Sequence, residues 1–384
     1  SPVSPCDVPS GYASVAPLLA ALLDGLFEQP LMNTCIYPGP HSQQFSSEHY
    51  LPIALGRFAG MELLEDRICT RCNTELGNRV ETQFLRAGPT GFFRWLAGIE
   101  GRNGLPPSPF YQGAGGTEPI YMVGKVPDWP FELLLELEPG TENVCPLRQI
   151  IFHHPLLGYR AVPILERFHE HPGKLQDYIR EQGLQNAKAV HVFGTEEEIP
   201  WVQTLIERLG QQAPKEWTSI NAQQQRIELI VSVTVTEPYF RAVAKIAFHY
   251  LLKIFPELTG LEREFDGIRE FIWNGGQVSR YVIQRKDQFI ANFKLGYRPT
   301  NWMHILAAER SGGRIKAYAQ FFAGPNSLPP PYEVNLGRDP ARIHTPPRRY
   351  AHEYVVLEAG ANNCPKGVMR DAQPTTHILI PKKH

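Results

Sequence analysis

The stretch that decides the fold runs from Ser46-Ser47-Glu48-His49-Tyr50-Leu51-Pro52 to Ile68-Cys69-Thr70-Arg71-Cys72-Asn73. It sets an acid beside a histidine and, about twenty residues on, a Cys-x-x-Cys-Asn segment. An acid and an asparagine can hold a hard divalent cation through oxygen, while a histidine nitrogen accepts a proton from water. Those are the parts that phosphodiester hydrolysis needs: a base for the attacking water and a cation against the charge on phosphorus. Adjacent side chains on a strand face opposite ways, so Glu48 and His49 require a distorted hairpin, for which Pro52 and Gly56 supply local breakers. A helix is expected to start near Asn73 and to carry Leu76, Val80, Phe84 and Leu85 on one side. The local order is strand, strand, helix.

Cys69 and Cys72 have the spacing of a zinc knuckle, and a structural zinc takes four ligands. Cys35 is the next cysteine upstream, in Cys35-Ile36-Tyr37-Pro38, and His41 is the nearest further donor. The alternative is a set of reduced, buried thiols without metal.

Taken together, Cys35, Glu48-His49, Pro52, Cys69-x-x-Cys72-Asn73, Gly77, Glu81, Phe84-Leu85-Arg86 and the run 96–102 resemble the HNH endonuclease family. The resemblance covers residues 35–102, about a fifth of the chain, with a weaker similarity of residues 241–276 to helices of larger bacterial proteins carrying this domain. It implies a ββα-metal module in which Glu48 and Asn73 bind a catalytic Mg²⁺ or Mn²⁺ and His49 is the general base. It also implies a structural Zn²⁺ at Cys35, His41, Cys69 and Cys72, with His41 standing in because Pro38 occupies the place of a second upstream cysteine. The central asparagine of the family signature, expected near Leu64-Glu65, is absent. The implied activity is metal-dependent endonucleolytic hydrolysis of DNA, with RNA as a further substrate class, in bacterial defence or mobile-element biology.

Composition permits this. With 384 residues there is room for two or three cores, and 42% hydrophobic and 20% charged residues are ordinary for a globular chain. A formal net charge of −1 lacks the footprint of non-specific nucleic-acid binding, and residues 35–103 carry seven arginines against seven acids. The missing charge is expected from the basic tail, with Arg342, Arg348 and Arg349 on the DNA backbone, or else from a protein partner or a second copy of the chain. Six cysteines without a disulfide pattern suit a reducing compartment. The most apolar stretch, 15–27, contains Asp24 and Gly25 and is too short for a membrane span, so a cytoplasmic protein with no membrane partner is expected.

The expected fold class is α+β, with the ββα module followed by a larger α+β region. The segments are a helical 1–34, the module at 35–103, an α+β 104–220 and an α+β 221–384 ending in a basic, proline-rich tail. Within them, 17–29 reads as a helix, 119–126, 131–137, 189–193 and 227–236 as strands, and 196–209 as a helix. Glu237-Pro238 opens a long helix, a second helix spans 261–273 and ends at Gly275-Gly276, and Ser311-Gly312-Gly313 signals a hairpin. His153-His154 and His169-Glu170-His171 lack ligand spacing and read as surface loops. No nucleotide-binding glycine pattern and no cysteine-hydrolase signature occurs. The rival to the nuclease is a zinc-stapled module that binds nucleic acid, or acts as an adaptor, without cutting.

Overall fold

The computed structural model describes residues 34–59, 63–101, 104–111, 117–127, 129–165, 167–168, 171–194, 199–212, 214, 228–286, 303–323, 329–340, 351–359 and 365–372. The helix read over 17–29 and the arginines Arg342, Arg348 and Arg349 lie outside the described residues. The fold is α+β, with mixed helix and sheet.

In chain order, β1 (Phe45–His49), a 3₁₀ turn (Ile53–Leu55), β2 (Arg57–Ala59) and β3 (Leu63–Cys69) lead into helix α1 (Thr70–Leu76). β1 and β3 pair antiparallel, so the strand, strand, helix order is realised. The helix starts at Thr70, earlier than the expected Asn73, because Cys69 serves as its N-cap and accepts the backbone N–H of Cys72 on its sulfur. α1 continues through a π turn (Gly77–Glu81) into α2 (Thr82–Arg86), and Leu76, Val80 and Phe84 all turn into the core. Helix α3 (Gly88–Leu96) follows after a break at Ala87, where the backbone is extended.

Two hydrophobic cores organise the rest. The second is built from β4 (Tyr121–Lys125), β5 (Glu132–Leu137), β6 (Val144–Pro146), β7 (Gln149–His154), β8 (Gly158–Pro163), α4 (Gly173–Glu181), β9 (Lys188–Phe193) and α5 (Ile199–Arg208). β10 (Glu228–Ser232) adds to the edge of the sheet ordered β10-β4-β5-β6, while β7 is the middle strand of β8-β7-β9. His153 and His154, read as loop, are the end of β7. His154 accepts the backbone N–H groups of Leu156 and Leu157 on Nδ1, each at 3.1 Å, and so caps the β7–β8 turn. Trp95 of α3 reaches into this core and donates its indole N–H to the Leu137 carbonyl at 2.7 Å.

The first core joins residues 35–99 to residues 239–336, so the motif region and the far segment share one interior. Its centre is α6 (Glu237–Ile254), with Glu237 in the first turn and Pro238 where no N–H is needed. The sequence gives α6 one apolar stripe, yet every residue from Arg241 to Leu252 is buried, because other elements pack all round it. Beyond it come a 3₁₀ turn (Arg263–Phe265), α7 (Asp266–Asn274), α8 (Val278–Tyr281), β11 (Val282–Gln284), β12 (Met303–Ser311) and β13 (Arg314–Ala323). The β12–β13 turn has Gly312 and Gly313 at φ 58° and 71°, both in the left-handed region that a two-residue hairpin of this hand demands.

The proline-rich tail, which periodicity leaves unplaced, supplies β14 (Tyr332–Arg338), β15 (Ala351–Ala359) and β16 (Pro365–Ala372) to a sheet ordered β11-β14-β13-β12-β15-β16-β2. Its last pair is parallel, with Lys366 opposite Arg57 and Val368 opposite Ala59. β16 thus closes on the strand that lies in sequence between the two paired strands β1 and β3. His304 on β12 tightens the same junction. Its Nδ1 accepts the Phe322 N–H at 3.2 Å, which leaves Nε2 to donate to the Leu55 carbonyl at 3.1 Å.

Candidate metal centre

Four donors meet where the segment at 35–41 crosses the β3–α1 junction. The sulfurs of Cys35, Cys69 and Cys72 and a ring nitrogen of His41 all lie within 4.8 Å of one another. His41 Nδ1 is 3.7 Å from Cys72 Sγ and 3.9 Å from Cys69 Sγ. A tetrahedral zinc with ordinary bond lengths separates its ligand atoms by roughly 3.6–3.8 Å, so little movement closes the site. The donor set therefore fits zinc, with the three cysteines buried and His41 at the exposed side.

Local structure explains the gathering. Ile36 donates its N–H to Arg67 on β3, and Thr70 donates to Gln44, so the 35–44 segment is laced to the strand and the helix start at both ends. Between Pro38 and Pro40 the chain passes against Trp273, where a Cβ at Gly39 would lie 2.1 Å from the ring. Burial raises the Cys35 and Cys72 thiols. Burial also pushes Cys69 upward, but the backbone N–H groups of Cys72 and Ser42, with His41 and the Cys72 side chain, bring it down to about 6. A thiolate at Cys69 is the form that binds metal.

The acid and the asparagine are also together. Asn73 Nδ2 donates to Glu48 Oε2 at 2.7 Å, linking α1 to β1. A distortion is present, but it lies between Ser46 and Glu48 rather than at Pro52 and Gly56, and it does not turn Glu48 and His49 to one side. From Ser46–Ile68 to Glu48–Leu64 the pairing advances two residues on β1 and four on β3, and Asp66 takes up the excess at φ 56°. This bulge lies just before Glu48. Glu48 and His49 then take consecutive register positions opposite Leu64 and Leu63, so the pleat sends them to opposite sides.

Sequence reading missed a third partner. Lys245 of α6 lies with Nζ 2.5 Å from Glu48 Oε1 and 2.6 Å from Glu81 Oε1, and its side chain is 1% exposed. Burial alone would lower its pKa; Glu81 and Glu48 hold it above the ordinary lysine value, so it stays charged. The signal was in the sequence: Arg241, Lys245 and His249 recur every four residues in a stretch, 240–252, that carries no other charged or imidazole side chain. Each finds a partner. Arg241 donates to the carbonyls of Ile272 and Trp273 at the end of α7, and Tyr37 hydroxyl and His249 Nε2 are 2.7 Å apart. Burial first, and the Lys245 charge second, keep His249 neutral.

A catalytic Mg²⁺ or Mn²⁺ does not fit Glu48 and Asn73 as they stand. One Glu48 oxygen holds an ammonium, the other holds an amide, and Asn73 turns its donor rather than its oxygen to the carboxylate. The cation that lies against Glu48 in this structure is the chain's own lysine. No helix among the described residues is long and apolar enough to cross a membrane. Comparison of the chain with protein-family models, curated proteins and solved structures finds no match.

Proposed function

We propose that the chain acts on nucleic acid through a zinc-stapled strand, strand, helix module and hydrolyses phosphodiester bonds there, with His49 taking a proton from the attacking water. The observation that carries this reading is the Asn73–Glu48 bond, which sits on the same hairpin and helix as the four-donor metal cluster. The similarity to HNH nucleases implies the same neighbourhood, and imidazole is the side chain suited to a general base near neutral pH. Zinc at Cys35, His41, Cys69 and Cys72 would hold the 35–44 segment against the helix start and so fix the hairpin that bears His49. No step is assigned to a second metal. Arg342, Arg348 and Arg349 belong to the proposal as phosphate contacts.

The test is cleavage of plasmid DNA and of single-stranded RNA by the zinc-loaded chain, with Mg²⁺, Mn²⁺ and EDTA arms and a His49→Ala control. Product in any arm that disappears in the control supports the reading. Equal cleavage by the control, or no product in any arm, overturns it. A second reading, binding without cutting, is favoured by Lys245, whose ammonium takes up the charge of Glu48. It gives a mobility shift and no product.

A further inference from the structure

The contact of Lys245 with two carboxylates is unusual for its depth. Lysine stems ordinarily let the ammonium reach water, yet here the whole side chain is 1% exposed while Glu48 and Glu81 remain 12% and 17% exposed. The two acids come from different elements, β1 and the π turn. An i→i+5 turn takes one more residue than an α turn and so rotates the side chains that follow it, and Glu81 ends on the side facing α6. Like charges brought this close need a cation between them, and proteins meet that need with a metal ion or with a basic side chain. The chain uses the second.

We propose that Lys245 is a built-in cation standing in for a divalent ion at the Glu48–Glu81 pair, so that the native module takes no Mg²⁺ or Mn²⁺ there and a divalent site appears when the lysine is removed. Three observations support it. Nζ is 2.5 and 2.6 Å from one oxygen of each acid, so a metal bonded to those same oxygens would lie against the ammonium. The remaining Glu48 oxygen is bonded to Asn73, which in turn braces the carboxylate toward the lysine. The ammonium has no alternative state to yield to: the flanking groups on α6 are Arg241, committed to α7 carbonyls, and His249, facing Tyr37. Asn73, Glu48 and Glu81 would then be the oxygen donors of the site exposed by substitution, a hard set suited to Mn²⁺.

The experiment titrates zinc-loaded full-length chain with Mn²⁺ and follows free Mn²⁺ by its room-temperature paramagnetic resonance signal. The wild-type chain is expected to bind no more Mn²⁺ than Glu48→Gln. Lys245→Met, close in volume to lysine, is expected to gain about one Mn²⁺ per chain at least tenfold more tightly than wild type, and Lys245→Met/Glu81→Gln is expected to lose it. Stoichiometric Mn²⁺ on wild type that vanishes in Glu48→Gln overturns the proposal, as does a folded Lys245→Met with no gain. Should Lys245→Met fail to fold, wild-type crystals soaked in Mn²⁺ decide: an anomalous peak at Glu48 overturns the proposal, and Nζ between the two carboxylates with no peak supports it. Cleavage is not part of this readout, so the nuclease reading and this one fail separately.

Discussion

Cys72 Sγ lies 3.7 Å from His41 Nδ1, although the two residues are 31 positions apart. This closeness is near what a shared tetrahedral metal imposes, and it completes a set whose other members are Cys35 and Cys69. About one zinc per chain is therefore expected, with three Zn–S bonds of roughly 2.3 Å and one Zn–N bond of roughly 2.0–2.1 Å. Elemental analysis and X-ray absorption check the count and the ligands. Chelation should lower the melting temperature, and Cys72→Ser should give the same loss without a chelator. A metal-free chain with an unchanged melting temperature would mean the thiols are held by packing alone.

His49→Ala is expected to cut nucleic acid about 10²–10⁴ more slowly than the parent chain, the usual cost of losing a general base. Its zinc content should stay as it was, because His49 is not among the four metal donors. Single-turnover rates on one defined substrate are the measurement.

Acid stability should depend on His304. Burial lowers its pKa to about 4, despite the hydrogen bond to Leu55, against an ordinary value near 6.5. Between those values the unfolded chain binds the proton and the folded chain does not. Stability contributed by this group is therefore full above pH 6.5 and is lost as pH falls toward 4, by about 3 kcal/mol in all. Unfolding free energies from urea titrations between pH 7 and pH 4 should fall by that amount more in the parent chain than in His304→Leu, whose own stability at pH 7 should already be lower. Parallel curves would remove His304 from the account.

Charge reversal of Arg342, Arg348 and Arg349 to glutamate is expected to weaken binding to all DNA sequences alike and to flatten its dependence on salt. The motif region carries as many acids as arginines, so phosphate contacts must come from elsewhere. Fluorescence anisotropy across a salt series tests this. An unchanged affinity and slope would point to recruitment by another protein.

How much of this was legible beforehand differs from element to element. The spacing Cys69-x-x-Cys72 was enough to name two of the four donors that meet, because knuckle spacing is a local property of one turn, whereas Cys35 and His41 followed from the resemblance to HNH nucleases. Glu237-Pro238 marked the start of α6, and Gly312-Gly313 marked a hairpin, because a proline and left-handed glycines restrict the backbone wherever they stand. Two kinds of feature were not legible. β15 finds β12 and β16 finds β2 across long stretches of chain, and nothing within a proline-rich tail announces that β16 will pair with β2. The Lys245 contact to Glu48 spans 197 positions. The sequence by itself determined which local units form and which metal donors they bring. Tertiary structure alone decided which cation faces Glu48, because a charge buried on one helix is satisfied only by what another element carries to it.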